Sequence, residues 1–78
     1  MLRVTIVSPE DILYKGEAQG ITVPGKKGQF EVLPHHAPII SSLSPGIIQC
    51  KNQESTSIKI KWGLIDVAQD EVFICVEV

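Results

Sequence analysis

The chain has 78 residues, an apolar fraction of 44% and a formal net charge of -2, which fits one small globular domain. Its seven basic residues against nine acidic ones argue against a surface that neutralises many nucleic-acid phosphates. No apolar stretch approaches the ~18 residues of a membrane span, and the first residues lack the pattern of a secretory signal. We therefore predict a single domain over residues 1–78, in a reducing compartment and without a nucleic-acid partner.

Alternating apolar and polar residues predict β-strands from the start of the chain. Every second residue from Leu2 to Ile6 is apolar, and the same period of two recurs from Ile58 to Trp62 and from Val72 to Val78. This period is typical of half-buried strands. The predicted core consists of Leu2, Val4, Ile6, Ile58, Ile60, Trp62, Val72 and Ile74, and the aromatic side chains Tyr14, Phe30, Trp62 and Phe73 are also assigned to the core.

The spacing of Pro and Gly residues predicts short strands and a simple topology. The longest stretch without either residue, residues 47–62, is rich in β-branched residues around a polar centre, and we predict that it forms a hairpin. Parallel pairing would need helical crossovers, for which the chain offers no segment. The sequence therefore predicts an all-β fold, either an antiparallel sandwich or a barrel.

The only two histidines, His35 and His36, do not predict a metal or catalytic site. Neighbouring side chains of an extended backbone point to opposite faces, and no Cys or acidic residue follows at the spacing of a zinc ligand. Pro34 and Pro38 flank the pair and restrict the backbone on both sides. We interpret this segment as a stiff loop with a structural or interface role.

The remaining candidates for chemistry are also weak. Cys50 and Cys75 match no metal or redox spacing, so we predict two buried free thiols, with a disulfide as the alternative. The segment from Pro24 to Gly28 carries two lysines but lacks the pattern of a phosphate-binding loop, so it is interpreted as a hairpin turn or a protein-contact loop. No catalytic residue, metal ligand or cofactor is predicted.

An ordered set of motifs resembles a known family. The segments 4–10 (VTIVSPE), 14–18 (YKGEA) and 21–40 (ITVPGKKGQFEVLPHHAPII), followed by 43–46 (LSPG), 63–67 (GLIDV) and 72–76 (VFICV), closely resemble the amino-terminal domain of the epsilon subunit of F-type ATP synthases. The resemblance covers nearly the whole sequence. The stretch that ends in His36-Ala37-Pro38 is its most specific block.

This resemblance implies an antiparallel β-sandwich of two five-stranded sheets, without an active site, at the foot of the central rotor stalk. One surface is expected to pack on the gamma subunit, and loops at the bottom are expected to rest on the polar loops of the membrane c-ring. Such a domain ties the stalk to the ring during rotary ATP synthesis. It is expected on the cytoplasmic face of the bacterial inner membrane, as a peripheral part of the complex without lipid insertion.

The resemblance also implies contact residues by position. The c-ring candidates are Lys26, Lys27, Gly28, Gln29 and Phe30, with His36 close by, and the gamma candidates are Ser8, Ile40, Ser41 and Leu43. On this basis Leu43→Glu is expected to weaken gamma binding and leave the fold intact. The chain departs from the family pattern at His35, where Gly is common, and at its two turn lysines and Gln29, where small or acidic residues are common.

Many members of this family continue into a carboxy-terminal pair of helices that restrains ATP hydrolysis. The 78 residues of the chain do not include that segment, so a subunit of this natural length is expected neither to inhibit by helix extension nor to sense ATP. Two alternatives to a non-catalytic rotor subunit remain open from the residues alone. The first is a small β-barrel that binds a ligand or single-stranded nucleic acid, and the second is an isolated enzyme.

Overall fold

The computed structural model describes residues 1–78 and contains nine β-strands. In chain order these are β1 (Leu2–Val7), β2 (Ile12–Ala18), β3 (Gly20–Gly25), β4 (Gly28–Val32), β5 (Ile39–Leu43), β6 (Gly46–Lys51), β7 (Thr56–Ile60), β8 (Trp62–Ala68) and β9 (Glu71–Glu77). The strands are short, as the frequent Pro and Gly residues predicted. No helix has the length and hydrophobicity that a membrane crossing requires.

The nine strands form two halves that share one core. Strands β2, β1, β9, β8 and β5 are neighbours in that order, and β4, β3, β6 and β7 form the other half. Hydrogen bonding continues from one half to the other where Gly25 pairs with Leu43. Sixteen buried residues from both halves make a single cluster, which is the arrangement of a β-sandwich. The predicted fold class is confirmed, although the second half has four strands rather than five.

The strands pair antiparallel, as predicted, with one exception at the centre of the five-stranded half. Strands β1 and β9 run parallel, with Val4 opposite Val72 and Ile6 opposite Ile74. Parallel neighbours need a long connection between them. Here strands β2 to β8 supply that connection, so no helical crossover is required.

The alternation of apolar residues predicted most of the core correctly. Leu2, Val4, Ile6, Ile60, Val72 and Ile74 are buried, and Ile58 is half-buried against them. Trp62 is 48% exposed, so its assignment to the core was wrong. The chain bends at Lys61, between β7 and β8. This bend shifts the alternation by one residue, and Gly63 rather than Trp62 faces inward.

The predicted hairpin in residues 47–62 is confirmed by the pairing of β6 with β7. Other expectations for the core need correction. Phe73 is 48% exposed, whereas Tyr14 and Phe30 are half-buried against the core. Both thiols are free, but only Cys50 is buried and Cys75 is exposed. Phe73 and Cys75 alternate with buried residues along β9, so the strand period itself places them outside.

Candidate partner-binding face

The outward side of the five-stranded half carries large apolar side chains. Along β8 and β9 the inward residues are small or aliphatic, whereas Trp62, Leu64 and Phe73 point outward and are 45–48% exposed. Residues of neighbouring strands that pair directly lie on the same side of a sheet. We call this surface the outer face and define it by Val7, Ile40, Trp62, Leu64, Asp66, Phe73 and Cys75.

The strand register makes the outer face continuous. One row of paired residues runs from Val7 through Cys75 to Leu64, and Trp62 follows Leu64 outward on the same strand. The side chains of directly paired residues lie only about 4.5–5.5 Å apart at Cβ, so these side chains form one surface. Contiguous exposed apolar patches on small domains mark interaction sites.

A second row crosses the same face and contains its only central charge. Phe73, Asp66 and Ile40 are direct neighbours on β9, β8 and β5. Ile40 is 78% exposed, and Asp66 is exposed between the two apolar side chains. At the rim, the Arg3 guanidinium lies 2.9 Å from the Glu71 carboxylate. The face therefore combines apolar contact area with one carboxylate near its centre.

Two of the four residues with an expected gamma contact are accessible from the outer face. Ser8 lies at its edge, in a hollow shared with Trp62 and Cys75, and the Ser8 hydroxyl accepts a hydrogen bond from the Asp11 N–H at 3.2 Å. Ile40 belongs to the outer face itself. A partner on this face can therefore reach both residues.

The other two gamma candidates, Ser41 and Leu43, point toward the interior of the sandwich. Ser41 is half-buried, and its hydroxyl donates to the Ser42 carbonyl at 3.1 Å. Leu43 is 2% exposed and belongs to the core cluster. Its side chain therefore offers nothing to a partner, and its burial contradicts the expectation that Leu43→Glu leaves the fold intact. The reason is the period of two along β5, which turns Leu43 inward when Ile40 and Ser42 face outward.

The lysine turn joins β3 to β4 through Lys26 and Lys27. Gly28 has a φ of 128°, a backbone conformation that favours glycine. A Cβ at Gly25 would lie 2.7 Å from the Phe30 ring, so glycine allows the ring to cover the start of the turn. Residues 26–30 line a concave region together with residues 39–42. The expected c-ring residues of this turn are thus adjacent to the outer face.

The loop that contains His36 is held by a different part of the molecule. The backbone N–H of His35 donates to Asp70 Oδ1 at 2.6 Å, and Asp70 lies in the turn between β8 and β9. His36 Nδ1 is 2.6 Å from the carbonyl oxygen of Ala37. His36 is not among the residues that line the concave region beside the lysine turn. Local sequence patterns do not reveal this tether, because its partners are 35 residues apart.

One departure from the family pattern, His35, falls where the backbone conformation of this loop favours glycine. His35 has a φ of 68°, in the left-handed region that glycine occupies without a steric penalty. The turn residues Gln69 and Asp70 also have positive φ, 51° and 63°, as a two-residue hairpin loop requires. The hydrogen bond from His35 to Asp70 therefore joins two strained backbone segments.

These features define the chain as a β-sandwich domain that is suited to protein contact, because its outward apolar area is organised by the strands themselves. The chain belongs to the family described as the β-sandwich domain of the ATP synthase delta/epsilon chain, whose sequence profile matches residues 1–78. The family assignment made from the sequence motifs is confirmed.

Curated relatives and solved structures agree with this assignment. The chain is 40% identical over 74 residues to the ATP synthase epsilon chain of Leptospira borgpetersenii, covering 94% of this chain and 58% of the relative. It is 37% identical over 78 residues to the epsilon chain of Nitratiruptor, covering 97% and 60%. The chain thus spans 58–60% of the length of these relatives.

Two solved structures have the same fold. A chain of the Euglena gracilis mitochondrial ATP synthase, in a structure of OSCP, F1 and c-ring, superposes with a TM-score of 0.84 at 23% identity, covering 96% of this chain and 49% of that one. A chain of the Tetrahymena thermophila central stalk and c-ring gives 0.83 at 15% identity, covering 99% and 63%. At these identities the superpositions establish the fold.

Proposed function

We propose that this domain is the non-catalytic, stalk-attached part of an ATP synthase epsilon subunit and that its outer face docks on the gamma subunit. The observation that carries this proposal is the continuous surface of exposed apolar side chains around Trp62, Leu64 and Phe73. Burying apolar surface contributes about 25 cal/mol per Å². A partner that covers this face therefore gains affinity from apolar side chains that the paired strands already hold in place. The domain would then move with the stalk.

The lysine turn supports the second half of the proposal, a contact with the polar loops of the c-ring. The turn projects beyond β3 and β4 and borders the outer face. Lys26 and Lys27 carry no ion pair with an acidic residue of this chain, so both charges are available to an acidic surface. A domain with these two adjacent contacts couples rotation of the ring to the stalk. It would lie at the cytoplasmic face of the bacterial inner membrane as part of the complex.

The alternative of a nucleic-acid or ligand-binding barrel is less well supported. Outward aromatic residues such as Trp62 and Phe73 resemble a stacking platform, but the acidic residues among them repel phosphates. Asp66 lies beside Phe73, and Glu77 lies opposite Trp62. The interior is filled by the shared core cluster and does not provide the ligand cavity that such a barrel needs.

Native mass spectrometry of the full chain with the gamma subunit of the same organism, at low micromolar concentration, tests the proposal. We expect a one-to-one complex that Leu64→Ser weakens at least tenfold. Ile47→Ser is the matched control, because Ile47 is 49% exposed but lies on β6 in the other half. Absence of a complex between two folded chains, or equal weakening by both substitutions, would contradict docking through the outer face.

A further inference from the structure

Asp66 is the one carboxylate that the outer face encloses with apolar side chains. Its direct cross-strand neighbours are Phe73 and Ile40, and the outward residues before and after it on β8 are Leu64 and Ala68. Glu71, at the rim of the face, differs because it pairs with Arg3 at 2.9 Å. Asp66 has no ion pair and no side-chain hydrogen bond within the chain.

An unpaired carboxylate at this position has a large consequence when the face is covered. In the free domain, water solvates Asp66 because the residue is exposed. A partner that covers Leu64, Phe73 and Ile40 removes that water, and burial of a charge without a counter-charge or hydrogen-bond donors is strongly unfavourable. An entirely apolar partner surface therefore does not fit this face.

We propose that the docking partner places an arginine or lysine side chain on Asp66, at the centre of the apolar contact. This inference rests on the proposed docking of the outer face and specifies the chemistry of its partner. Charge complementarity supports it, since two carboxylates of the face, Asp66 and Glu77, have no ion pair within the chain and their negative charge is left for a partner to neutralise. Arginine fits best, because its planar guanidinium can donate two parallel hydrogen bonds to one carboxylate and also stack on the neighbouring Phe73 ring.

The position of a charge in the interface determines which rate constant of binding it affects. Charged pairs at the centre of an interface act mainly on the dissociation rate, whereas charges at the rim act mainly on the association rate and on its salt dependence. Asp66 is central and Glu77 is at the rim. The two residues should therefore affect different rate constants even though both carry one negative charge.

Association and dissociation rates with the gamma subunit, measured by biolayer interferometry, test the inference. Asp66→Asn preserves size and removes the charge, and we expect its dissociation rate to rise at least tenfold with an association rate within about twofold of the original. Glu77→Gln is expected to change only the association rate and its dependence on salt. Glu54→Gln, in the turn between β6 and β7, removes one negative charge away from the face and should change neither.

A double-mutant cycle identifies the partner's cation. Each arginine and lysine of the gamma subunit is replaced by alanine in turn and measured against both the original chain and Asp66→Asn. We expect one replacement whose effect is largely lost in the Asp66→Asn background. If every replacement instead adds independently to Asp66→Asn, the central ion pair does not exist.

The results for Leu64→Ser and Asp66→Asn distinguish this inference from the docking proposal on which it rests. If Leu64→Ser fails to weaken binding, the outer face is not the docking surface. If Leu64→Ser weakens binding but Asp66→Asn binds as tightly as the original or more tightly, the face docks without a cation on Asp66. Sedimentation of the Asp66→Asn chain would then be expected to show self-association, with the carboxylate serving to keep two outer faces apart. An unchanged melting temperature of Asp66→Asn verifies that its fold is intact.

Discussion

The two sides of the five-stranded half have similar side-chain chemistry but different roles. On β8 and β9, Ile65 and Ile74 face inward and are at most 1% exposed, whereas Leu64 and Phe73 face outward and are 45% and 48% exposed. The inward side stabilises the fold by filling the core. The outward side contributes little to the isolated domain and is available to a partner. Hydrophobicity alone thus does not distinguish folding residues from binding residues on a strand, but the phase of the alternation does.

The largest expected effect comes from placing the same charge on opposite sides of β5. Leu43→Glu buries a carboxylate in the core cluster without a partner, which costs several kcal/mol. The core of a domain this small rarely supplies more than about 3–5 kcal/mol, so we expect this variant to be unfolded. Ile40→Glu adds its charge to an exposed position and should change the free energy of unfolding by at most about 0.5 kcal/mol. Circular dichroism with thermal melting compares the two.

For gamma binding, Ile40→Glu is the informative variant of this pair. Ile40→Glu remains folded and places a second acid next to Asp66, so it is expected to weaken gamma binding by tenfold or more. A folded Leu43→Glu chain with a normal melting temperature would break the distinction between the two sides. So would an unfolded Ile40→Glu chain.

The two thiols provide a second comparison of the inside with the outside. Burial raises the pKa of Cys50 from 9.0 to about 11, because the thiolate loses its hydration in the core. Well below pH 9 the thiol is protonated in both folded and unfolded chains, and its contribution to the free energy of unfolding is fully present. As the pH rises from 9 to 11 the unfolded chain loses the proton first, so stability falls, by about 2.7 kcal/mol at most.

Urea unfolding at pH 8, 9, 10 and 11 measures this fall. Cys50→Ala should have a smaller decrease across the series, and the difference from the original chain isolates the thiol. Cys75→Ala should retain the original decrease, because Cys75 is exposed. An equal decrease in all three chains would show that burial of Cys50 does not contribute to the pH dependence. A thiol reagent should modify Cys75 in the native chain and Cys50 only after unfolding.

Local alternation predicted most of the fold, and its failures have identifiable causes. Leu2 and Ile6 were assigned correctly because a single uninterrupted strand carries them. Trp62 was not, because the bend at Lys61 changes the phase, and no local pattern of residues signals such a shift. The family motifs directed attention to Ile40, but the strand register was needed to place it beside Asp66 and Phe73.

Contacts between distant segments could not be predicted from local patterns. The parallel pairing of β1 with β9 joins the two ends of the chain, and the hydrogen bond from His35 to Asp70 joins two turns. Alternation determines which side of a strand is buried, but it contains no information on which strand lies next to it. The outer face depends on both, so only part of it was predictable.

His35 tests whether an exposed residue can still affect the fold through its backbone. Its side chain is 91% exposed, but its φ of 68° is unfavourable for any residue with a Cβ, by roughly 1–2 kcal/mol. His35→Gly removes that strain and adds flexibility to the unfolded chain, which costs about 0.4–1 kcal/mol. The net expectation is a gain of about 0.5–1 kcal/mol in the free energy of unfolding. His35→Ala keeps the Cβ and serves as the control. Equal stabilisation by both substitutions would contradict backbone strain as the cause.

Reversing the charges of the lysine turn is expected to have the smallest effect on stability, together with a large effect on assembly with the membrane enzyme. Lys26→Glu with Lys27→Glu reverses both charges at exposed turn positions, and the free energy of unfolding should change by less than about 0.5 kcal/mol. Gamma binding should fall by no more than about threefold. Copurification with the intact membrane enzyme should decrease sharply at low salt if the turn lies on acidic c-ring loops. Lys59→Glu with Lys61→Glu, also exposed, is the matched control, and an equal decrease for both pairs would remove the turn from the ring contact.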